Sequence, residues 1–251
     1  MIDLTIAVLT YEGEALLPDC LKSIHDNLVD FPFAYEVLIV DNGSTVLTAP
    51  ALWPQHRLRH LPTNVGNIGG MNKCFEYAQG NWVLFVANDV RLHPKALLSL
   101  WALRANLVQP VLYQPDGAVD NAGLDWIWPG YGRRRRVPPM TVAPYLRLVP
   151  SFAATCFLLQ RSVWQELGGF DEQLGISHED IDFAMRLKRN GYNCFVNAHA
   201  SATHLMGQTI GRVTKAPLKP YYHEARLKVL RKHYRGVDYW SRRLAVGLID
   251  G

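Results

Sequence analysis

The chain has 251 residues, 49% of them hydrophobic and 11% aromatic, which supports a sizeable buried core and excludes a disordered chain. Its 26 Lys+Arg exceed its 22 Asp+Glu by four, too small a surplus to mark a nucleic-acid-binding protein. Four scattered cysteines, Cys20, Cys74, Cys156 and Cys194, form no Cys-x-x-Cys pair; each sits in apolar sequence and reads as a buried thiol in a reducing compartment.

An apolar, β-branched run over 4–9 reads as a buried strand, with no basic leader before it. Leu17, Leu21, Ile24 and Leu28 follow at helical spacing. A second strand over 35–40 ends in the turn signal Asp41-Asn42-Gly43-Ser44, and a short third is predicted over 57–61. A Gly-rich turn at Gly66, Gly69 and Gly70 leads into a helix over 71–79, closed by Gly80. A fourth strand is expected over 82–87. His93-Pro94 opens a helix with Leu97, Leu98, Trp101 and Ala105 on one face. Strands alternating with helices predict an α/β fold with a mainly parallel sheet covered on both faces.

The stretch 109–150, with seven prolines and the run Arg133-Arg134-Arg135-Arg136, reads as irregular. Order resumes with a strand over 153–160. Ser162 and Gln165 suggest a capping box for a short helix ending at Gly168-Gly169. A helix over 179–190, a short strand over 193–196 and a basic amphipathic helix over 222–234 complete the pattern. No apolar run nears the roughly 20 residues of a membrane span, so a soluble, cytoplasmic protein is expected.

In an open parallel sheet, ligands bind beyond the carboxyl ends of the strands. Thr10-Tyr11, Asp41-Asn42-Gly43-Ser44 and Asn88-Asp89 all fall there. Asp41 can accept hydrogen bonds from a base or ribose, or serve only as a turn residue. The segment Asn64-x-Gly-x-x-Gly-Gly-x-Asn72 precedes a helix, where the backbone can approach an anion. Its spacing matches neither the dinucleotide fingerprint nor a P-loop. Asp89 can hold Mg²⁺ or Mn²⁺, and His204 is a second candidate ligand. Glu179 and Asp180, at a helix start, are either a general base or acids placed there by the helix dipole.

Taken in order, these motifs resemble glycosyltransferase family 2. They comprise Leu-Thr-Tyr, Val-Asp-Asn-Gly-Ser, Asn-x-Gly-x-x-Gly-Gly-x-Asn and Asn-Asp-Val. Gly-Gly-Phe-Asp-Glu at 168–172, Glu-Asp-Ile-Asp at 179–182 and His-x-x-Gly-x-Thr at 204–209 follow. Asp-Gly at 116–117 and Asn-Ala-Gly at 121–123 are most similar to rhamnosyltransferase-like members that build surface polysaccharides. The resemblance implies a GT-A fold, a single domain with a nucleotide-sugar half over 1–108 and an acceptor half over 109–251. It implies that Thr10, Tyr11 and Asp41 hold the nucleoside, with Asn64 and Gly70 completing that pocket and Asn72 and Asn88 counted with them. Asp89 and His204 would ligate a divalent cation, Mg²⁺ or Mn²⁺. Asp180, paired with Glu179, would deprotonate the acceptor hydroxyl in an inverting transfer.

The implied partners are a nucleotide-diphosphate sugar and a saccharide or lipid-linked acceptor, with no nucleic acid. Ala87 departs from the pattern where a polar residue is usual, and leaves Asp89 as the one acid of that motif. Ala154 and Glu224-Ala225 depart on the acceptor side. Two other readings are a catalytically silent nucleotide-sugar-binding module and a nucleotidyltransferase, although the latter lacks its Gly-rich basic N-terminal loop. Residues 212–243 carry ten Lys/Arg against two Asp/Glu, a local +8 that could contact an anionic membrane at its inner face or remain a solvated surface.

Overall fold

In a computed structural model, residues 1–46, 56–129, 131–134, 146–205 and 219–250 are described. The strands are β1 (Leu4–Thr10), β2 (Tyr35–Asp41), β3 (Arg57–His60), β4 (Trp82–Ala87), β5 (Val90–Leu92), β6 (Leu107–Tyr113), β7 (Val119–Asn121), β8 (Leu124–Ile127), β9 (Tyr131–Arg134), β10 (Leu146–Val149), β11 (Cys156–Gln160) and β12 (Cys194–His204). The α-helices are α1 (Leu17–Leu28), α2 (Gly66–Tyr77), α3 (Ala96–Ala102), α4 (Arg161–Glu166), α5 (Glu179–Arg189), α6 (Lys219–His233) and α7 (Gly236–Asp250). The main sheet runs β10-β12-β6-β11-β4-β1-β2-β3, with β5 added to β12 and β7 to β6. Its N-terminal block, β4-β1-β2-β3, is parallel throughout; the other half is mixed, with β12 parallel to β6 and β11 antiparallel to both neighbours.

Period-two alternation divides the core between the two faces of the sheet. Leu4, Ile6 and Val8 of β1 pack with α1 and α3, whereas Ala7 and Leu9 pack with α2 and α5. All seven residues of β1 are buried, as a central parallel strand covered on both faces requires. On the α2/α5 side, Phe157 lies within 4.9–6.1 Å, ring centre to ring centre, of Phe75, Phe85, Phe152 and Phe170. Each such side chain removed from water contributes about 1.5–3 kcal/mol.

Several expectations change. The Gly-rich turn is the first part of α2: Gly66, at φ +82°, turns the chain, and Gly69 and Gly70 are already helical. A Cβ on Gly70 would lie 2.8 Å from Leu9 Cδ1, so its absence lets α2 settle onto β1. Within 109–150 the described residues are largely stranded, containing most of β6 and all of β7 to β10. Pro110 lies within β6, and the register of the β6–β12 ladder shifts just beyond it, where a proline cannot donate. Buried Gln109, next to Pro110, accepts from Ala153 N (2.7 Å) and donates to Asn121 Oδ1 (3.2 Å), which ties β6 to its other neighbours.

Strand β12 extends to His204 instead of ending at 196. Helix α7 was not anticipated. The capping box at Ser162 does not form; α4 begins at Arg161 without a side-chain cap. All four cysteines are buried and unbridged. Among the described residues, no helix is long and apolar enough to cross a membrane.

Candidate active site

The parallel register sets Thr10 beside Asp41, and Asn88 N donates to Leu9 O (3.2 Å), so the polar ends of β1, β2 and β4 adjoin one another. Asn88 Nδ2 donates to Thr10 Oγ1 (2.9 Å). The Asp41 carboxylate is buried and held by His60 Nδ1 (2.8 Å) and by the Ser44 hydroxyl. Tyr11 is half-buried next to them. Asn64 acts locally, since its Oδ1 accepts from Gly66 N (2.8 Å) and from Asn42 Nδ2 (3.1 Å), fastening the entry to α2 onto the end of β2.

Asn72 departs from its expected place in the donor pocket. Its Nδ2 donates to Phe170 O (2.9 Å) and Glu172 Oε1 (2.8 Å), and its Oδ1 accepts from Phe170 N (2.9 Å). Both ends of the amide therefore tether α2 to the 168–172 motif. A surface cavity of about 520 Å³, lined in part by Asn72, Trp164, Glu172 and Lys232, opens beside this tether. Asp41, Asp89, Asp180 and His204 do not line it.

Asp89 and His204 come together because β5 pairs with the end of β12, with His204 opposite Val90 and Leu205 N donating to Asp89 O (2.9 Å). Asp89 Oδ2 is 3.5 Å from His204 Nε2, and Asp120 Oδ2 is 3.0 Å from His204 Nδ1. Arg134 pairs with the other oxygen of Asp120. Burial alone would lower the His204 pKa, but the carboxylates of Asp120 and Asp89 outweigh it and raise it to about 9. Asp120 is pulled the opposite way: burial would raise it, and His204 and Arg134 hold it below the usual range.

A carboxylate that fixes one nitrogen of an imidazole while the other faces a second carboxylate matches the surroundings of many metal-ligating histidines. The Asp89 carboxylate suits Mg²⁺ or Mn²⁺, which are commonly completed by phosphate oxygens and water, whereas the His204 imidazole is a better ligand for Mn²⁺ than for Mg²⁺. Among the described residues, no group of three or more His, Cys, Asp or Glu could hold a metal ion. Gly207 and Thr209 of the expected His-x-x-Gly-x-Thr motif lie outside the described residues.

Glu179 and Asp180 open α5, whose N-cap residue His178 is left-handed at φ +68°. Glu179 is buried, with no hydrogen-bond partner for Oε2. Burial, then the adjacent Asp180 carboxylate, push its pKa well up. Asp180 is only partly covered; burial raises its pKa too, against the Ile181 N–H (2.7 Å) and the Arg134 charge. Arg134 thus acts on Asp180 as well as on Asp120, and its field joins the base candidate to the His204 cluster. Ser151 Oγ donates to Asp180 O (3.1 Å) and pins this turn.

The sequence pattern missed Asp120 and the individual role of Arg134. Asp120 immediately precedes Asn121-Ala122-Gly123, and its only signal was that position. The role of Asp182, the last residue of the Glu-Asp-Ile-Asp motif, was missed too. Its fully buried carboxylate is met by Arg186 Nε (2.8 Å), His233 Nε2 (2.7 Å) and Lys232 Nζ (2.9 Å). The basic C-terminal segment is accordingly less free than its +8 suggests. Lys232 also pairs with Asp171, Lys228 with Glu224, and Arg242 with Asp238, while Arg226 is buried. Arg135, Arg136, Arg212 and Lys215 lie outside the described residues.

A Rossmann-like parallel block, with polar strand ends and carboxylates gathered from the second half of the chain, is the architecture of a GT-A glycosyltransferase. A structure of GalNAc-T7 with UDP, GalNAc and Mn²⁺ superposes with a TM-score of 0.68 over 90% of this chain and 48% of that one, at 15% identity. The Glycosyl transferase family 2 profile matches residues 5–168, and the chain belongs to that family. It is 26% identical to N-acetylglucosaminyl-diphospho-decaprenol L-rhamnosyltransferase of Mycobacterium tuberculosis, over 84% of this chain and 81% of the relative. It is 29% identical to the O-antigen biosynthesis protein RfbC of Myxococcus xanthus over 74% of its length, but spans only 16% of that protein.

Proposed function

We propose that this glycosyltransferase moves a sugar, with rhamnose the leading candidate, from a nucleotide-diphosphate donor to a hydroxyl of a saccharide or lipid-linked acceptor in surface polysaccharide synthesis. The relative named as an L-rhamnosyltransferase acting on a decaprenol-linked saccharide supports both the sugar and the acceptor class. The observation that carries the reading is the convergence of Asp89, Asp120, Arg134 and His204, with the Arg134 charge also felt at Asp180. Asp89 comes from the half over 1–108, and the other four come from the half over 109–251. On this reading the site lies where donor and acceptor halves meet, and the domain works on the cytoplasmic side of a membrane.

Thr10, Tyr11 and Asp41 would receive the nucleoside, alongside Asn88, Asn64 and Gly70. Asp89 and His204 would hold Mg²⁺ or Mn²⁺, which when bound supplies positive charge to the departing diphosphate. Asp180 would take the proton from the acceptor hydroxyl. That oxygen forms a bond to the anomeric carbon as the bond from carbon to diphosphate breaks on the opposite face, which inverts the centre. Burial pushes both carboxyls up, and the Asp180 charge adds to the shift at Glu179, so the pair resists carrying two negative charges at once.

Asp180→Asn is expected to keep nucleoside-diphosphate binding and lose about 10²–10⁴-fold in transfer, the usual contribution of a general base. Undiminished transfer would remove Asp180 from that role. Asp89→Ala is expected to abolish the Mn²⁺-dependent part of nucleoside-diphosphate binding by titration calorimetry; equal binding with and without Mn²⁺ in the wild type would remove the metal from the reading. Tight donor binding without transfer to any acceptor would leave a binding module.

A further inference from the structure

Helix α7 carries apolar side chains on both sides. Its inner face is anchored by fully buried Val246 and by Arg242, whose guanidinium lies 4.2 Å from the Tyr234 ring and donates to Pro129 O (3.3 Å). Val237, Trp240, Leu244 and Leu248 follow one another at spacings of three, four and four, which aligns them on the opposite face. They are 85%, 55%, 68% and 86% exposed. An ordinary surface helix turns its apolar stripe inward and its charges outward. Isolated exposed leucines need no explanation, but an aligned row of them with a tryptophan marks a contact surface.

We propose that this stripe docks the protein on an anionic lipid bilayer, with α7 lying in the plane of the headgroups. The choice of a bilayer rests on the reading above in which the acceptor is lipid-linked, and three observations select it over a protein partner. First, Arg243 lies 5.3 Å from the Trp240 ring, which puts a cation beside an indole, a pairing suited to the boundary between headgroups and acyl chains. Second, exposed Arg243 has no acidic partner among the described residues, nor has exposed Arg235, whose guanidinium caps carbonyls at the end of α6 just before α7, whereas Asp238 of α7 is paired with Arg242. The charge near the stripe therefore complements anionic headgroups. Third, one row of four side chains offers on the order of 500 Å², short of the roughly 800 Å² per partner of a stable dimer. Trp128, in the turn that Arg242 touches, adds another indole that is 60% exposed. The docking element is thus the outer face of α7, while much of the charge on α6 is engaged within the protein.

The test is co-flotation of the full chain with phosphatidylcholine vesicles, with and without phosphatidylglycerol. The wild type is expected to float with the anionic vesicles and more weakly with the neutral ones. Leu244→Glu combined with Leu248→Glu is expected to lower partitioning at least roughly tenfold while preserving the thermal transition and transfer to a short water-soluble acceptor. Arg243→Gln should weaken binding to the anionic vesicles alone. Wild-type protein that stays in solution, or a double variant that floats undiminished, overturns the proposal. A sedimenting dimer that the double variant dissociates, without vesicle binding, overturns it in favour of a second copy. Flotation as expected, with no transfer to any lipid-linked acceptor, would uphold docking and sink the acceptor reading instead.

Discussion

Asp182 offers a sharp test of how α5, which carries the proposed base Asp180, is held. The residue lies two positions after Asp180, and its carboxylate is completely buried among Arg186, Lys232 and His233. Burial alone would raise its pKa, but His233, Arg186 and Lys232 outweigh that and bring it down to about 2. Asp182→Asn keeps the shape and removes the charge, leaving Arg186 without its carboxylate and Lys232 with Asp171 alone. Removing one partner of a buried pair costs about 3–5 kcal/mol. For a chain of this size that corresponds to a fall in Tm of roughly 6–20 °C. Thermal unfolding by circular dichroism reads it directly.

Donor binding by the surviving folded protein is expected to hold while kcat falls, because α5 carries Asp180 but none of the strand-end residues. Acid sensitivity follows from the same shift. A depressed carboxyl contributes stability that is present above its unfolded value near 3.8 and is lost as pH falls through about 2. The wild type should lose about 2 kcal/mol over that window more than the variant does. A variant within about 1 kcal/mol of the wild type, with unchanged kcat, would refute the idea that this cluster holds the base.

His204 sets the opposite dependence. Its pKa is raised from 6.5 to about 9, so its contribution is complete below 6.5 and disappears as pH rises through 9. Denaturant titrations in chelator should show a loss of about 3 kcal/mol over that range, and Asp120→Asn should flatten it. Gly43→Ala, in the turn after β2, should cost about 2–4 kcal/mol. The residue is at φ +80°, and a Cβ there would lie 2.4 Å from the carbonyl carbon of Thr63, a backbone atom that cannot swing aside. Urea melts test this, and a neutral outcome would contradict the close approach of the two loops. The four cysteines are buried, and burial raises all their pKa values, so a thiol reagent should label none of them rapidly until the protein unfolds.

Local signals in the sequence were sufficient for the N-terminal parallel block. The buried run of β1, the α1 stripe and the turn after β2 depend on patterns within a dozen residues, and polar residues at parallel strand ends had to share one edge of the sheet. The ordered motifs also carried the family and the fold. Residues 109–150 were illegible for a physical reason: prolines normally argue against a central strand, but Pro110 is accommodated by a shift in the ladder. The Gly-rich segment was misread because glycine is a poor helix former, and only the contact between Gly70 and Leu9 shows why α2 tolerates it.

The family resemblance had already set His204 with Asp89, but the other pairings between distant residues were decided by tertiary structure alone. His204 reaches Asp89 and Asp120 because β12 runs on to pair with β5. Asp182 acquires its cations because α6 folds back across α5. Val237, Trp240, Leu244 and Leu248 are spaced like an ordinary core stripe, and only the packing of α7 shows that this face points outward. Periodicity records which residues share a face. Whether that face meets the core or the solvent depends on chain segments far away in sequence.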